Sequence, residues 1–193
     1  TGLLDEQALK QGRQLGNYEL KNDLGVDRYG RTVLGYDFKR QAQVAIRMIG
    51  PAYFADKQNM LRLRDNLKAL RELNHPRIRQ VVAFERIANE TLLIHDFIDG
   101  QSAHQWVQSR GPLPWAQALQ WILQAMDALR AAQGKGIIHG DIRPSNLMIR
   151  NGSQGIVVNN FGLFLGGKEH LLQPAQTEQD LPVYLAPEEA LQR

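Results

Sequence analysis

The chain has no cysteine among its 193 residues. This absence excludes disulfides, thiolate catalysis and cysteine-based zinc sites, and it is compatible with a reducing cytoplasm. No apolar run approaches the roughly 20 residues that cross a bilayer, and the polar residues 1–16 lack the core of a signal peptide. The five histidines are scattered along the chain. We therefore expect a soluble, cytoplasmic protein with no membrane span and no histidine metal cluster.

A large excess of charge is also missing, since the formal net charge is only +3. One stretch, residues 57–79, concentrates basic side chains. They are Lys57, Arg62, Arg64, Lys68, Arg71, Arg77 and Arg79. Because acidic residues are interspersed among them, the pattern favours a solvated helix face over a polyanion site. No nucleic-acid partner is expected.

The first half of the chain alternates β-branched runs with turns, which is typical of strands. Five runs are predicted as strands: residues 18–20, 32–36, 44–49, 78–85 and 91–97. Between the third and fourth, apolar residues at helical spacing predict one helix, with Asp56 as its N-cap. Residues 1–16 are predicted to form a short helix or extension ahead of the domain. The layout is α+β, an antiparallel sheet with one packed helix.

The second half is predicted to be mainly helical. A short helix is expected over residues 102–109 and a longer one over 115–133, closed by Gly134 and Gly136. The apolar stripe of the longer helix is predicted to face the core. It consists of Leu119, Ile122, Leu123, Met126 and Leu129. Residues 166–181 are predicted to form a long functional loop.

Two polar clusters, one on each side of a predicted strand hairpin, carry the strongest signal. They read His139-Gly140-Asp141-Ile142-Arg143-Pro144-Ser145-Asn146 and Asn160-Phe161-Gly162. Their spacing resembles the catalytic and metal-binding loops of eukaryotic-type protein kinases, closest to bacterial serine/threonine kinases. The resemblance implies a bilobal fold: an N-terminal extension (1–16), a five-stranded lobe with one helix (17–97) and a partial, mainly helical lobe (98–193).

The resemblance also implies roles in phosphoryl transfer, which requires a base, cations on the phosphates and a metal. Asp141 stands at the catalytic base. Arg143 and Arg47 occupy the positions of two lysines that contact phosphate in the family. Arg47 is the last residue of the motif Val44-Ala45-Ile46-Arg47. Asn146 and Asn160 occupy the positions of the family's two metal ligands, so Mg2+ is the metal cofactor that the resemblance implies.

ATP is the nucleotide that the resemblance implies. The turn from Leu24 to Gly30 resembles the glycine-rich loop, with Gly25 and Gly30 matched and Asp27 at the middle glycine. His95 stands at the gatekeeper, although a buried core histidine is the simpler interpretation of that residue alone, and the backbone of Asp96 and Ile98 faces the adenine. Four further side chains are expected to line the adenine slot: Leu24, Thr32, Ala45 and Met148.

Several departures from the family pattern weaken the same chemistry. Asp27 brings negative charge to the phosphate site, and Asn66 replaces the acidic partner of the lysine now represented by Arg47. Asn160 removes a metal-binding carboxylate, and Leu181 removes a threonine that hydrogen-bonds the catalytic aspartate. The sequence therefore predicts a pseudokinase, with weak or absent transfer, that works through a protein partner, a further domain or self-association. A slow serine/threonine kinase and an interaction module without nucleotide remain open.

Overall fold

The computed structural model describes residues 13–27, 29–50, 57–87, 89–152 and 155–163. Its larger sheet is antiparallel, with strands in the order β1-β2-β3-β4-β6-β5. The strands are β1 (Gln14–Leu15), β2 (Tyr18–Asp27), β3 (Gly30–Asp37), β4 (Ala42–Ile49), β5 (Val81–Ile87) and β6 (Glu90–Asp96). The predicted α+β layout is confirmed. One difference is that Gln14 and Leu15 form a sixth strand at the edge of the sheet, where the sequence predicted a short helix or extension.

Strand β4 is the centre of this sheet, because Val44 to Ile49 are all buried. A near-continuous β-branched and apolar run of this kind suits a strand covered on both faces. Its neighbours are β3 and β6. The register sets Arg47 opposite Thr32 on β3 and Ala45 opposite His95 on β6. The strand register therefore fixes the position of Arg47 relative to β3 and β6.

Helix α1 (Lys57–Glu72) follows β4 and packs on the sheet. Leu63, Leu67 and Leu70, spaced four and three residues apart, are its fully buried side chains. This spacing places them on one face of a helix. The predicted helix is confirmed, whereas the predicted N-cap Asp56 lies outside the described residues.

The second part of the chain carries a small three-stranded sheet in the order β7-β8-β9. Its elements are β7 (Gly100–Ser102), α2 (Ala103–Arg110), α3 (Trp115–Gln133), a 3-10 turn (Pro144–Asn146), β8 (Leu147–Arg150) and β9 (Ile156–Val158). Helix α2 begins with a capping box, in which the Ser102 side chain accepts from the Gln105 backbone and the Gln105 side chain accepts from the Ser102 backbone. This reciprocal pair satisfies donors at the helix start.

The bounds of α3 agree with the sequence, but four of the five residues of the predicted core stripe are exposed, whereas Leu129 packs against the core. Leu119, Ile122, Leu123 and Met126 are each between 47% and 58% exposed. The buried residues are instead Trp121, Ala125, Ala128 and Ala132. Small alanine side chains let the helix approach its neighbours closely, while the larger side chains project away from the described part of the chain.

The two sheets meet where Ile78 forms a parallel bridge with Val158. The strand predicted to begin at residue 78 begins at Val81, because Ile78 in the preceding segment bridges to Val158 of β9. The Arg79 backbone N–H donates to the Val158 carbonyl at 3.0 Å. Arg79 therefore enters the space between the sheets. Among the described helices, none is long and apolar enough to cross a membrane.

Candidate functional site

A cavity of about 440 Å³ lies between the two sheets. Ten of the residues that the sequence predicted for the site line it. They are Leu24, Gly25, Thr32, Arg47, Ile98, Asp141, Arg143, Asn146, Met148 and Asn160. The β2–β3 hairpin, the segment after β6 and the segments flanking β8 and β9 bring them together. The sequence motifs therefore converge on one cleft.

Four predicted residues do not line this cavity: Gly30, Ala45, His95 and Asp96. Ala45 and His95 are buried in the sheet, at 1% and 3% exposure. A side chain at Gly30 would clash with backbone, because its Cβ would lie 2.0 Å from the Met48 carbonyl oxygen. Gly30 therefore has a packing role in the contact between β3 and β4, which explains this glycine without a phosphate.

Asp141, the candidate base, is enclosed by hydrogen-bond donors. Oδ1 accepts from Nε of Arg143 at 2.7 Å and lies 2.6 Å from Nη2 of the same residue. Oδ2 accepts from the Tyr29 hydroxyl at 3.1 Å and from Nδ2 of Asn146 at 3.0 Å. A carboxylate has about four lone-pair sites. All of them face internal donors, and the side chain is only 10% exposed.

His139 fixes the loop that carries Asp141. Its Nε2 lies 2.8 Å from the Asn159 carbonyl, and its Nδ1 lies 3.2 Å from the Asp141 backbone nitrogen. The neutral tautomer with the proton on Nε2 satisfies both contacts, because that nitrogen donates and Nδ1 accepts. Burial lowers the pKa of His139, partly opposed by the Asn159 hydrogen bond and the Asp141 charge. The Phe161 ring packs edge-on against it, with centroids 4.6 Å apart.

The two candidate metal ligands are hydrogen-bonded to each other. Nδ2 of Asn160 donates to Oδ1 of Asn146 at 2.8 Å. The orientation of the Asn146 amide follows from its surroundings, since its nitrogen faces the backbone carbonyl and Oδ2 of Asp141 at 2.7 and 3.0 Å. Oδ1 of Asn160 is left buried without a hydrogen-bond partner.

This donor set does not fit Mg2+. The ion prefers charged oxygen ligands in near-octahedral geometry. Here the Asn146 oxygen already accepts from Asn160, both Asp141 oxygens accept from internal donors, and only one neutral oxygen is unpartnered. Within the described ranges, no group of three His, Cys, Asp or Glu side chains is placed to hold a metal.

Arg47 is paired with the glycine-rich hairpin. Its Nη1 lies 2.6 and 2.8 Å from the two carboxylate oxygens of Asp27. Arg47 is 5% exposed and Asp27 34%. The Asp27 carboxylate also accepts from the Tyr29 backbone at 2.9 Å, which holds the turn. The residue that replaces a glycine therefore supplies the carboxylate that neutralises Arg47.

Asn66 does not contribute to that pairing. It faces inward from α1, as its position on the helix predicts, and its Nδ2 lies 3.4 Å from the Gly162 carbonyl. The ion pair between strand and helix that the family resemblance would require is absent from the described residues. Arg47 is instead paired with Asp27 of the β2–β3 hairpin.

The inner end of the cavity holds a second guanidinium, Arg79. Its Nε donates to the Asp96 carbonyl at 3.0 Å, and its Nη1 donates to Oδ1 of Asn159 at 3.0 Å. Burial, and then the charge of Arg47, lower the pKa of Arg79 to about 9. Burial, followed by the charges of Arg79 and Arg47, lowers the pKa of His95 well below its usual value, so the gatekeeper position is neutral.

Sequence reasoning missed Tyr29 and Arg79. Tyr29 stands between the glycines of the hairpin, and its placement against Asp141 follows only from how the hairpin folds onto the catalytic loop. Arg79 was predicted to lie on a solvated helix face. That prediction is wrong, because Arg79 follows the end of α1 and turns into the cleft. The strand-like run after His75-Pro76 was the available signal.

The family model for the protein kinase domain matches residues 18–192. The chain is 27% identical over 184 residues to the serine/threonine-protein kinase pkn2 of Myxococcus xanthus, covering 91% of this chain and 22% of that protein. It is 29% identical over 152 residues to the serine/threonine-protein kinase PknB of Mycobacterium leprae, covering 76% of this chain and 24% of that protein. The chain thus spans about a quarter of these relatives' length.

Solved structures agree with this assignment. The PknI kinase domain of Mycobacterium tuberculosis aligns with a TM-score of 0.73 at 26% identity. The alignment covers 79% of this chain and 62% of that one. The described cleft lies in the part of the chain that the family model matches.

Proposed function

This chain belongs to the protein kinase family, and we propose that it is a pseudokinase: a kinase-like domain with a regulatory or scaffolding role and weak or absent phosphoryl transfer. The observation that carries the proposal is the state of Asp141. A base must be within hydrogen-bond reach of the proton that it removes. Both oxygens of Asp141 already accept hydrogen bonds from Tyr29, Arg143 and Asn146.

The Asp27–Arg47 pair, which lies on the larger sheet and not on the loop that carries Asp141, also supports the proposal. A phosphate that reached Arg47 would compete with a carboxylate at 2.6 Å. In phosphoryl transfer, a cation on the nucleotide phosphates stabilises the developing charge. Here that cation is neutralised in advance by Asp27. We infer that ATP binds weakly and that its phosphates are poorly held.

The Asn146–Asn160 pair also supports the proposal, because a site with these two ligands is expected to gain little nucleotide affinity or rate from Mg2+. A neutral amide offers one weaker oxygen, whereas the family's carboxylate brings charge. If the metal contribution falls by about 4 kcal/mol, the rate falls about a thousandfold. In other members of the family, bound Mg2+ neutralises charge on the nucleotide phosphates. In this chain the hydrogen bond between Asn146 and Asn160 would have to break before these side chains could bind the ion.

A slow serine/threonine kinase is the second candidate, and a specific observation favours it. Asp141, Arg47 and Arg143 all line the cleft and retain the charges that transfer requires. Opening of the hairpin would release Tyr29 from Asp141 and Asp27 from Arg47. An interaction module with an empty cleft is the third candidate.

A cytoplasmic location and a protein partner belong to the same proposal. The exposed apolar residues of α3 would contact that partner, a further domain of the same protein or a second copy. They include Leu119, Ile122, Leu123 and Met126.

Thermal unfolding with ATP, with and without Mg2+, tests the proposal. A ligand at about 100 times its dissociation constant adds about 2.7 kcal/mol of stability. We expect a small ATP shift that Mg2+ does not increase. A Mg2+-dependent increase would contradict the pseudokinase assignment and favour the slow kinase. The absence of any shift would favour the interaction module, in which the scaffolding role stands and nucleotide binding does not.

A further inference from the structure

The β2–β3 hairpin is fastened to the cleft by two side chains that are two positions apart. Asp27 places its carboxylate oxygens 2.6 and 2.8 Å from Nη1 of Arg47 on β4. Tyr29 donates its hydroxyl to Oδ2 of Asp141 at 3.1 Å. The first contact covers a cation of the larger sheet. The second occupies the candidate base, which belongs to the second part of the chain.

These two contacts support each other. The backbone N–H of Tyr29 donates to Oδ1 of Asp27 at 2.9 Å, and the same oxygen lies 2.6 Å from Nη1 of Arg47. The Arg47 guanidinium lies over the Tyr29 ring, with its Cζ 5.8 Å from the ring centroid. A change that moves Asp27 away from Arg47 therefore also removes a hydrogen bond that holds Tyr29 in place at Asp141.

The strand that leads to these residues is irregular at two places. The register of β2 against β3 shifts between Leu20 and Asp23, and it shifts again between Asp23 and Gly25. Irregularities of this kind disrupt the ladder locally and bend the strand. Residues 22–26 are exposed, so this end of the hairpin gains little from packing. Its closed position therefore depends strongly on the contacts of Asp27 and Tyr29.

We propose that Asp27 and Tyr29 form a latch that keeps the hairpin closed, and that a polyphosphate anion binding at Arg47 opens the latch and exposes Asp141. This inference rests on the proposed weak binding of nucleotide phosphates. The Arg47 side chain is 5% exposed, so an anion reaches it only after the Asp27 carboxylate has moved away. Anion binding and release of Asp141 are then coupled, and the resting chain keeps its candidate base occupied by its own tyrosine.

The latch weakens anion binding by keeping most molecules closed. The closed state is favoured at rest, because the Tyr29 side chain is buried and Asp27 neutralises Arg47. When only a minor open state binds a ligand, the measured dissociation constant is the intrinsic one divided by the open fraction. Removing one latch contact raises the open fraction and the affinity by the same factor. For a hydrogen bond to a charged group this factor is about ten or more.

Tyr29→Phe tests this coupling, because it removes the hydroxyl that contacts Asp141 and keeps the ring beside Arg47. Inorganic tripolyphosphate is the probe, since it carries phosphates without a base or sugar. Its dissociation constant is measured by calorimetry in the absence of Mg2+. Tyr36→Phe is the matched control, because it makes the same change on β3 and leaves both latch contacts intact. Amide hydrogen exchange over residues 20–34 follows the hairpin itself.

Tyr29→Phe is expected to bind tripolyphosphate about tenfold more tightly than the wild type, and Tyr36→Phe is expected to match the wild type. Adding tripolyphosphate to the wild type should speed hydrogen exchange over residues 20–34. Equal affinities of Tyr29→Phe and the wild type overturn the proposal, as does an equal gain in Tyr36→Phe. Slower exchange on adding the anion also overturns it, because the closed hairpin would then be the form that binds. If Tyr29→Phe fails to fold, the exchange response of the wild type decides.

The latch and the pseudokinase assignment fail under different results. Phosphoryl transfer by the wild type would contradict the pseudokinase and leave the latch standing. An affinity for tripolyphosphate that does not respond to Tyr29→Phe would overturn the latch and leave the pseudokinase standing. Binding that appears only in Tyr29→Phe supports the latch, whereas the absence of binding in both proteins overturns it.

Discussion

The carboxylate of Asp27, at the end of β2 in the hairpin, lies 2.6 Å from Nη1 of Arg47 on β4 of the same sheet. This contact joins two departures from the family pattern that look independent in the sequence. An acid at a glycine position would repel phosphates, and an arginine at a lysine position would alter their contact. In the fold the charges of Asp27 and Arg47 neutralise each other. The Asp27 carboxylate therefore occupies the place at Arg47 where a phosphate would bind.

Asp27→Asn should therefore have two opposite effects. Unfolding temperature without ligand should fall, because Arg47 loses its buried counter-charge. The affinity for ATP should rise, on the order of tenfold, because about 1.4 kcal/mol of competition is removed. Thermal unfolding and calorimetry measure the two quantities. Asp23→Asn, which breaks the more exposed Asp23–Arg31 pair of the same hairpin, is the control and should leave ATP affinity unchanged.

Tyr29→Phe should destabilise the chain by about 1–2 kcal/mol, because the hydroxyl donates to the charged Asp141 at 3.1 Å. Urea unfolding measures this change. Tyr36→Phe is the matched control, since within the described residues the Tyr36 hydroxyl makes no hydrogen bond while its ring contacts Phe38. Equal losses in the two variants would show that the Tyr29 contact does not hold the hairpin down.

Asn160→Asp should create a response to Mg2+. Without the ion, its carboxylate would face Oδ1 of Asn146, and the chain should lose about 1–3 kcal/mol. With ATP and Mg2+, the unfolding temperature should recover by about 3 °C for each kcal/mol regained. Asn159→Asp adds the same charge next to Arg79 and should show no Mg2+ effect. An Asn160→Asp variant that ignores Mg2+ would mean that this position is not the limiting defect.

Acid should destabilise the chain through His95. Burial and the charges of Arg79 and Arg47 lower the pKa of folded His95 well below 6.5. The unfolded state therefore binds a proton first as the pH falls, and stability drops below about pH 6.5. Between pH 7.5 and 5.5 this histidine alone should account for about 1.4 kcal/mol. Urea unfolding should show a shallower acid limb in His95→Leu than in the wild type.

Much of the architecture could be predicted because local signals agree with it. Pro114 and Gly134 bound α3 where the sequence predicts, and the Asp141 and Asn160 clusters share a cleft because the β8–β9 hairpin folds back between them. Both features depend on residues close in sequence. The match to the kinase pattern then supplied the long-range arrangement.

The charge pairings were not predictable, because they depend on which side chains the fold brings next to each other. Nothing in the sequence near Asp27 indicates that its carboxylate forms an ion pair with Arg47. Arg79 was predicted to be solvated because acidic residues are interspersed among the basic residues of that stretch, and the bridge of Ile78 to Val158 turns it inward. The α3 stripe was misassigned because an alanine face packs closely, a preference that hydrophobicity alone does not reveal.

Radiolabelled phosphate transfer from ATP, measured on the purified wild-type chain and on Asp141→Ala, is the decisive test of the pseudokinase assignment. If this assignment is right, the two proteins incorporate label into themselves and into a generic serine/threonine substrate at the same background rate, with or without Mg2+. Transfer by the wild type that exceeds background and disappears in Asp141→Ala would contradict it, because Asp141 would then be acting as a base.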